Sequence, residues 1–420
     1  MQLNNTTNPE IQKVLRGLPD SCVFVSTSCC STPSSLLKEV FKFDKRDRDW
    51  TLYLGMLLGS SEYVDEPGPG QLKIKTWHAS TPLQKMLTTG DAQYIPLRAK
   101  DLPNFLGSIV DVALIRISKP DSTGTCSLGP STSWTKAVMK KAKLIIAEVD
   151  ETIPWTEGDS KINIYEIGFI LASETAVPTY DKLKIETNEK IIADHVLSLI
   201  PENPTLQFGL GNISESITQS LDANSLGHKT FVGMGSDGMM KILEEQTHNS
   251  KSSPVSLFAV ELLGSRELMR FADHNPLIEM VDSKKCHDPT WLGSFPRLVS
   301  INSALAVDLK GQVASESIGG RFVSGIGGSV DFFDGAHQSL GGIRIIAMNS
   351  TSVNRNRSKI ASHFDPETPV SIPRYMVDYI VTEYGIAHLT NKTAPECTEA
   401  LIAISAPEFR DALANSLSRG

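Results

Sequence analysis

No window of this sequence approaches the roughly 20 apolar residues that a membrane-spanning helix needs, so no membrane association is expected. Positive charge is in the minority. There are 40 Lys and Arg against 48 Asp and Glu, a formal net charge of -8, and no basic run. Phosphate neutralisation needs concentrated Lys and Arg, so no nucleic-acid partner is expected. Cysteine is scarce: the six at positions 22, 29, 30, 126, 286 and 397 include no C-x-x-C pair. That argues against a zinc site, and against a disulfide framework in so long a chain. Reduced thiols in a cytoplasm are the expectation. Cys286-His287-Asp288 has no second ligand cluster near it, and no metal is assigned. The segment Met1 to Pro19 lacks a basic start followed by an apolar stretch, so a secretory signal is not expected.

What is present is an ordinary globular composition, 40% hydrophobic and 21% charged over 420 residues, which is long enough for two α/β domains. Cys22 to Ser26, Trp50 to Leu54, Val110 to Ile117 and Leu144 to Val149 are short apolar, β-branched runs. Separated by helical periods, such runs predict mainly parallel sheets flanked by helices. The pattern then repeats. Val110 to Ile117 leads to Asp121 and Gly124, and Leu298 to Leu305 leads to Asp308 and Gly311, with the same Asp-x-x-Gly spacing. Each is followed by an apolar strand, Leu144-Ile-Ile-Ala and Ile343-Arg-Ile-Ile-Ala. The expected fold is therefore two related α/β domains, 1–185 and 186–420, joined near Val177 to Thr187.

Three segments carry chemistry. In Leu206-Gln-Phe-Gly-Leu-Gly-Asn-Ile, Gly209 and Gly211 open a helix, and the turn Gly209, Leu210, Gly211, Asn212 and Ile213 suits an anion or a developing oxyanion. Eight glycines lie between Gly319 and Gly342, ends included, among them Gly325, Gly327 and Gly328. Such density weakens regular structure, and close backbone contact with an extended ligand is a compensating use. Glu383 ends the strand-like run Asp378-Tyr-Ile-Val-Thr-Glu, where charges either face a ligand crevice or are paired for structure. Cys29-Cys30 lies in a loop before a helix beginning near Ser34, where a thiolate would be stabilised; small buried hydrophobes are the alternative.

From about Leu18 to the end the chain resembles the acetyl-CoA hydrolase / 4-hydroxybutyrate CoA-transferase family. The resemblance rests on Val110-Asp-Val-Ala-Leu-Ile, Asp121-Ser-Thr-Gly, Ile153-Pro-Trp-Thr-Glu-Gly-Asp-Ser, Leu206-Gln-Phe-Gly-Leu-Gly, Asp308-Leu-Lys-Gly-Gln-Val-Ala-Ser-Glu-Ser-Ile-Gly, Gly325-Ile-Gly-Gly-Ser-Val-Asp-Phe and Val381-Thr-Glu-Tyr-Gly-Ile-Ala. It implies a CoA-transferase-like fold, coenzyme A as substrate and product with no permanently bound cofactor, and a homo-oligomer. It also implies a glutamate that attacks the acyl-CoA thioester and passes through a glutamyl-CoA intermediate.

The family glutamate lies shortly before a Ser-Asp-Gly motif. Anchored on Ser236-Asp237-Gly238, its position is occupied by Gly233, and no Glu or Asp lies between Ala223 and Ser236. His337 stands where the family usually has a small residue, and His388 where it has Asp. Ile343 replaces a Lys thought to help hold CoA; Arg344 is its neighbour, but adjacent strand residues point to opposite faces. The expectation is that glycine at 233 opens space for water or another acceptor to meet an acyl-CoA or acyl-carrier-protein thioester directly, with His337 or His388 as base. Glu316 and Glu383 are expected to be structural or substrate-orienting. Two alternatives stay open: an ordinary carboxylate CoA-transferase with a glutamate from an unexpected segment, and an inactive thioester-binding or partner-binding relative.

Overall fold

The computed structural model describes residues 8–180, 184–222, 225–249 and 255–416. The chain divides into two compact units, Met1–Asp181 with Leu257–Cys286, and Lys182–Ser256 with His287–Gly420. The first break falls near the expected 185/186 junction, of which residues 181–183 lie outside the described residues. Leu257–Cys286 returning to the first unit has no counterpart in the sequence expectation. Backbone pairing holds it there: Glu279 and Met280 pair in parallel with Glu157 and Gly158. Ser131 also bridges Glu261, and the Leu262 N–H donates to the Pro130 carbonyl at 2.7 Å.

The first unit carries a seven-stranded sheet in the order Phe169–Ala172, Leu144–Val149, Val112–Ile117, Ser21–Ser26, Asp49–Leu54, Leu72–Thr76, Ala92–Tyr94. Every pairing in it is parallel. Val112–Ile117 is buried along its whole length, as a strand covered on both faces must be. In the second unit Thr205–Phe208 is central. Thr230–Gly235 lies on one side; Leu298–Asn302, Ile343–Ala347 and Tyr379–Thr382 follow on the other, all parallel until the antiparallel edge Gly385–His388. Each unit thus places its first strand centrally, its second on one side and later strands on the other, as expected of related domains.

The repeated Asp-x-x-Gly is repeated in atomic detail. Asp121 Oδ1 accepts the N–H groups of Thr123 and Thr125 at 2.8 and 2.9 Å, and Asp308 Oδ1 those of Lys310 and Gln312 at 3.0 and 2.9 Å. Gly124 and Gly311 close the two turns at φ 84° and 82°, a conformation that suits a residue without Cβ. The copies differ in burial, because Asp308 is enclosed and Asp121 is at the surface. Asp308→Ala, which removes a buried carboxylate from two part-buried N–H groups, is expected to cost about 1–3 kcal/mol. Asp121→Ala should cost less, since water replaces the carboxylate. Paired denaturant curves check the order; equal losses would contradict it.

A buried ionic network sets the loop between Ser26 and Ser34. Arg116 is 0% exposed, and its Nη2 and Nε reach Asp150 Oδ2 at 2.8 and 3.1 Å. Its Nη1 donates to the Thr32 carbonyl at 2.9 Å and lies 3.4 Å from Glu148 Oε1. Helix Ser34–Lys42 starts at Pro33 without a side-chain cap of its own. Glu148 supplies one, accepting the N–H groups of Ser35 and Leu36 at 2.8 and 3.1 Å. Burial pushes the Glu148 carboxyl up from its usual range, while Arg116 and these donors pull it down.

Candidate active site

Gly233 lies in strand Thr230–Gly235 at φ 100°. A Cβ built there would stand 2.9 Å from Cζ of Phe332 and 3.3 Å from Cγ of Gln207. Phe332 is buried on helix Ser329–Gln338, its ring edge-on to His287 at 5.2 Å. Gln207 is fixed by Ser300 and Asn302, both of which donate to its Oε1. The direction a side chain would take from position 233 is therefore filled by an aromatic ring and an immobilised amide, so the glycine does not open the space expected there.

The turn after strand Thr205–Phe208 is held at its base, where the Gly209 N–H donates to the Ile301 carbonyl at 2.8 Å. Gly211, at φ 124°, precedes helix Asn212–Ser220 without a side-chain cap, and open space lies where its Cβ would be. Leu210 and Asn212 are partly exposed and Ile213 is buried, so the turn presents backbone above an anchored base. Uncapped N–H groups at a helix start are ready donors for an anion. In the second glycine segment Gly325 is buried and Gly327 is exposed at φ 60°. Gly328 precedes helix Ser329–Gln338, with the His287 ring 2.6 Å from where its Cβ would be. Only glycine fits that contact.

The remaining sequence-derived positions are dispersed. Ile343 opens its strand half-buried. Arg344 is buried, and its Nη2 and Nε fork onto Asp378 at 2.7 and 3.0 Å. Its charge is thus engaged within the fold, and Arg344 and Thr390 together hold the Asp378 carboxyl below the usual range against its burial. His337 is exposed on the last turn of its helix, while Phe332, which meets Gly233, is buried on the same helix. His388 is exposed on the edge strand and stacks on Tyr379 at 4.7 Å. Glu316 is buried and accepts the Ser371 hydroxyl at 3.1 Å; Glu383 accepts both the N–H and the hydroxyl of Ser350 at 2.8 Å. Gly233 thus keeps company with Phe332 and Gln207, and the two histidines are exposed.

One carboxyl in the first unit has no counterpart among the sequence candidates. Glu261 lies on strand Leu257–Leu262 and is 6% exposed. Its Oε1 accepts the hydroxyls of Ser131, at 2.9 Å, and Ser133. Burial pushes its pKa up to about 8, with the two hydroxyls and the Cys29 thiol pulling it back. Cys29 faces it from the turn between strand Ser21–Ser26 and helix Ser34–Lys42. It is 8% exposed and strained at φ 55°. Burial, and then the Glu261 charge, push that thiol well above its usual range. The signal in the sequence is a lone acid inside Leu257-Phe-Ala-Val-Glu-Leu.

Among the described residues no group of three or more His, Cys, Asp or Glu is placed to hold a metal, and no helix is long and apolar enough to cross a membrane.

The chain is similar to known proteins over nearly all its length. It is 36% identical over 370 residues to a 4-hydroxybutyrate coenzyme A transferase of Clostridium kluyveri, covering 86% of each. The structure of a 4-hydroxybutyrate CoA-transferase from Porphyromonas gingivalis superposes with a TM-score of 0.76 at 27% identity, over 97% of this chain and 96% of the other. RipA from Yersinia pestis, at 22% identity and the same coverages, superposes with a TM-score of 0.85, which establishes the fold alone. The profile of the acetyl-CoA hydrolase/transferase N-terminal domain matches residues 11–180, and that of the C-terminal domain residues 264–417. These matches make the chain a member of the acetyl-CoA hydrolase/transferase family.

Proposed function

We propose that the protein is a thioester-processing enzyme that delivers the acyl group of an acyl-CoA directly to water or another small acceptor, with no glutamyl-CoA intermediate. Coenzyme A is substrate and product in this scheme. Family membership supports the substrate class. The observation that carries the mechanism is Gly233: its backbone is at φ 100° and the Phe332 ring fills its side-chain direction. A mixed anhydride needs a carboxylate beside the thioester, and neither Gly233 nor the residues against it provide one. The helix start at Gly211–Ile213 is suited to the oxyanion formed when an acceptor adds to the thioester carbonyl.

The test is thiol release from acetyl-, butyryl- and 4-hydroxybutyryl-CoA in water, with an added amine, and with an added carboxylate. Release in water, or an acylated amine, is the expected result. Coenzyme A passing only to carboxylates would contradict the proposal. His337 and His388, the histidines the sequence offers as base, are both exposed. His337→Ala and His388→Ala are therefore expected to change the rate little. A loss of roughly a hundredfold in either would make that imidazole the general base.

A further inference from the structure

We propose that the first unit carries a binding site for a short dicarboxylate, held by Arg266 and Arg270. The site goes beyond the thioester chemistry above, and none of the residues proposed for that chemistry belongs to it. It lies wholly within the first unit, as a cavity of about 330 Å³ between helix Arg266–Ala272 and the loops that follow strands Leu144–Val149 and Phe169–Ala172. That volume is at the lower end of small-molecule pockets. Arg266, Met269, Arg270 and Asp273 recur at the spacing that brings side chains to one helix face, and all four line the cavity. Ile153, Pro154, Val177 and Met269 are buried and give it an apolar lining.

The walls are tied to one another. The Thr152 hydroxyl donates to Asp150 Oδ1 at 2.8 Å and accepts the Val177 N–H at 2.7 Å, joining the two loops. The Trp155 N–H donates to Asp273 Oδ1 at 2.7 Å, joining loop to helix. A pocket fixed in this way needs little ordering to receive a ligand, and that lowers the cost of binding.

The charges lining the cavity are unevenly engaged. Glu151 pairs with Lys119 at 3.0 Å, and Asp273 is committed to the Trp155 N–H. Arg266 and Arg270 are exposed, and among the described residues neither guanidinium has a hydrogen bond or an ion pair. The acids are thus used by the fold, and the two cations are left to a ligand. Residues four apart on a helix are separated by about 6 Å along its axis. A guanidinium forks onto a carboxylate through two parallel hydrogen bonds, so the pair suits the two ends of one short dicarboxylate. The apolar lining takes the methylene chain between those ends, a contact that inorganic phosphate cannot make. A monocarboxylate occupies one fork and leaves the other empty.

The experiment is calorimetric titration of the full-length protein with glutarate, butyrate and inorganic phosphate, repeated with Arg266→Gln, Arg270→Gln and the double variant. Urea unfolding accompanies each variant; both side chains are exposed, so the midpoint should stay where it is in the wild type. The expected result is saturable glutarate binding to the wild-type protein, at least about tenfold tighter than butyrate, and weaker by at least about tenfold in each single variant. Phosphate bound as tightly as glutarate would overturn the dicarboxylate assignment, since the apolar lining would then contribute nothing. Butyrate bound as tightly would overturn the two-arginine clamp. Glutarate binding unchanged in the double variant would put the ligand elsewhere and overturn the site. No glutarate binding by the wild-type protein would overturn the whole inference. None of these results bears on thiol release, so the thioester chemistry stands or falls separately.

Discussion

Arg116→Leu is expected to lower the unfolding free energy of the first unit by about 3–5 kcal/mol, the usual cost of breaking a buried ion pair from one side. The reason is what it leaves behind. Glu148 is 0% and Asp150 4% exposed, and both face the guanidinium. Neither has water to turn to. A leucine fills part of the volume but satisfies no lone pair, so the remaining carboxyls must stay charged in an apolar setting or take up protons. The loss should therefore shrink as pH falls and protonation relieves the stranded charges. Arg116 also holds the Thr32 carbonyl, and Glu148 caps the helix that follows, so the turn bearing Cys29 should loosen as well. Urea unfolding at several pH values checks the loss and its pH dependence. A loss below about 1 kcal/mol would place the network among marginal ion pairs.

Gly233→Glu places a glutamate where the resemblance implies one, and it is expected to fail. A side chain at φ 100° is strained by about 1–3 kcal/mol, and forcing a Cβ against Phe332 adds about 1–3 kcal/mol of overpacking. The variant should lose stability and gain no transfer of coenzyme A to carboxylates. Gly233→Glu with Phe332→Ala relieves the contact and leaves the backbone strain, so it should recover only part of the stability. A Gly233→Glu protein as stable as wild type, or one that acquires carboxylate transfer, would mean that the ring yields readily and the glutamyl route lies one substitution away.

The parts of the fold written locally are the ones the sequence discloses. Asp121 and Asp308 each complete their turn within five residues, so spacing alone predicts two equivalent turns. The return of Leu257–Cys286 to the first unit depends on Glu157 and Gly158, a two-residue strand far away in the chain, and no local pattern marks it. Arg344 shows the same limit. Its neighbourhood suggests a cation near a ligand, while its partner Asp378 is 34 residues on. At the site, Ser236-Asp237-Gly238 frames Gly233 in the sequence; the Phe332 ring against it comes from another segment. Glu261 is the extreme case. Within an apolar run it resembles an ordinary outward-facing acid. Its partners, Ser131 and Ser133, come from a segment distant in sequence.

The central claim is that the acyl group leaves coenzyme A without a glutamyl-CoA intermediate, and the intact mass of protein quenched in acid during turnover of butyryl-CoA tests it most directly. The account predicts protein at its own mass, with no species heavier by coenzyme A. A coenzyme A adduct that forms during turnover and maps to a glutamate would contradict it.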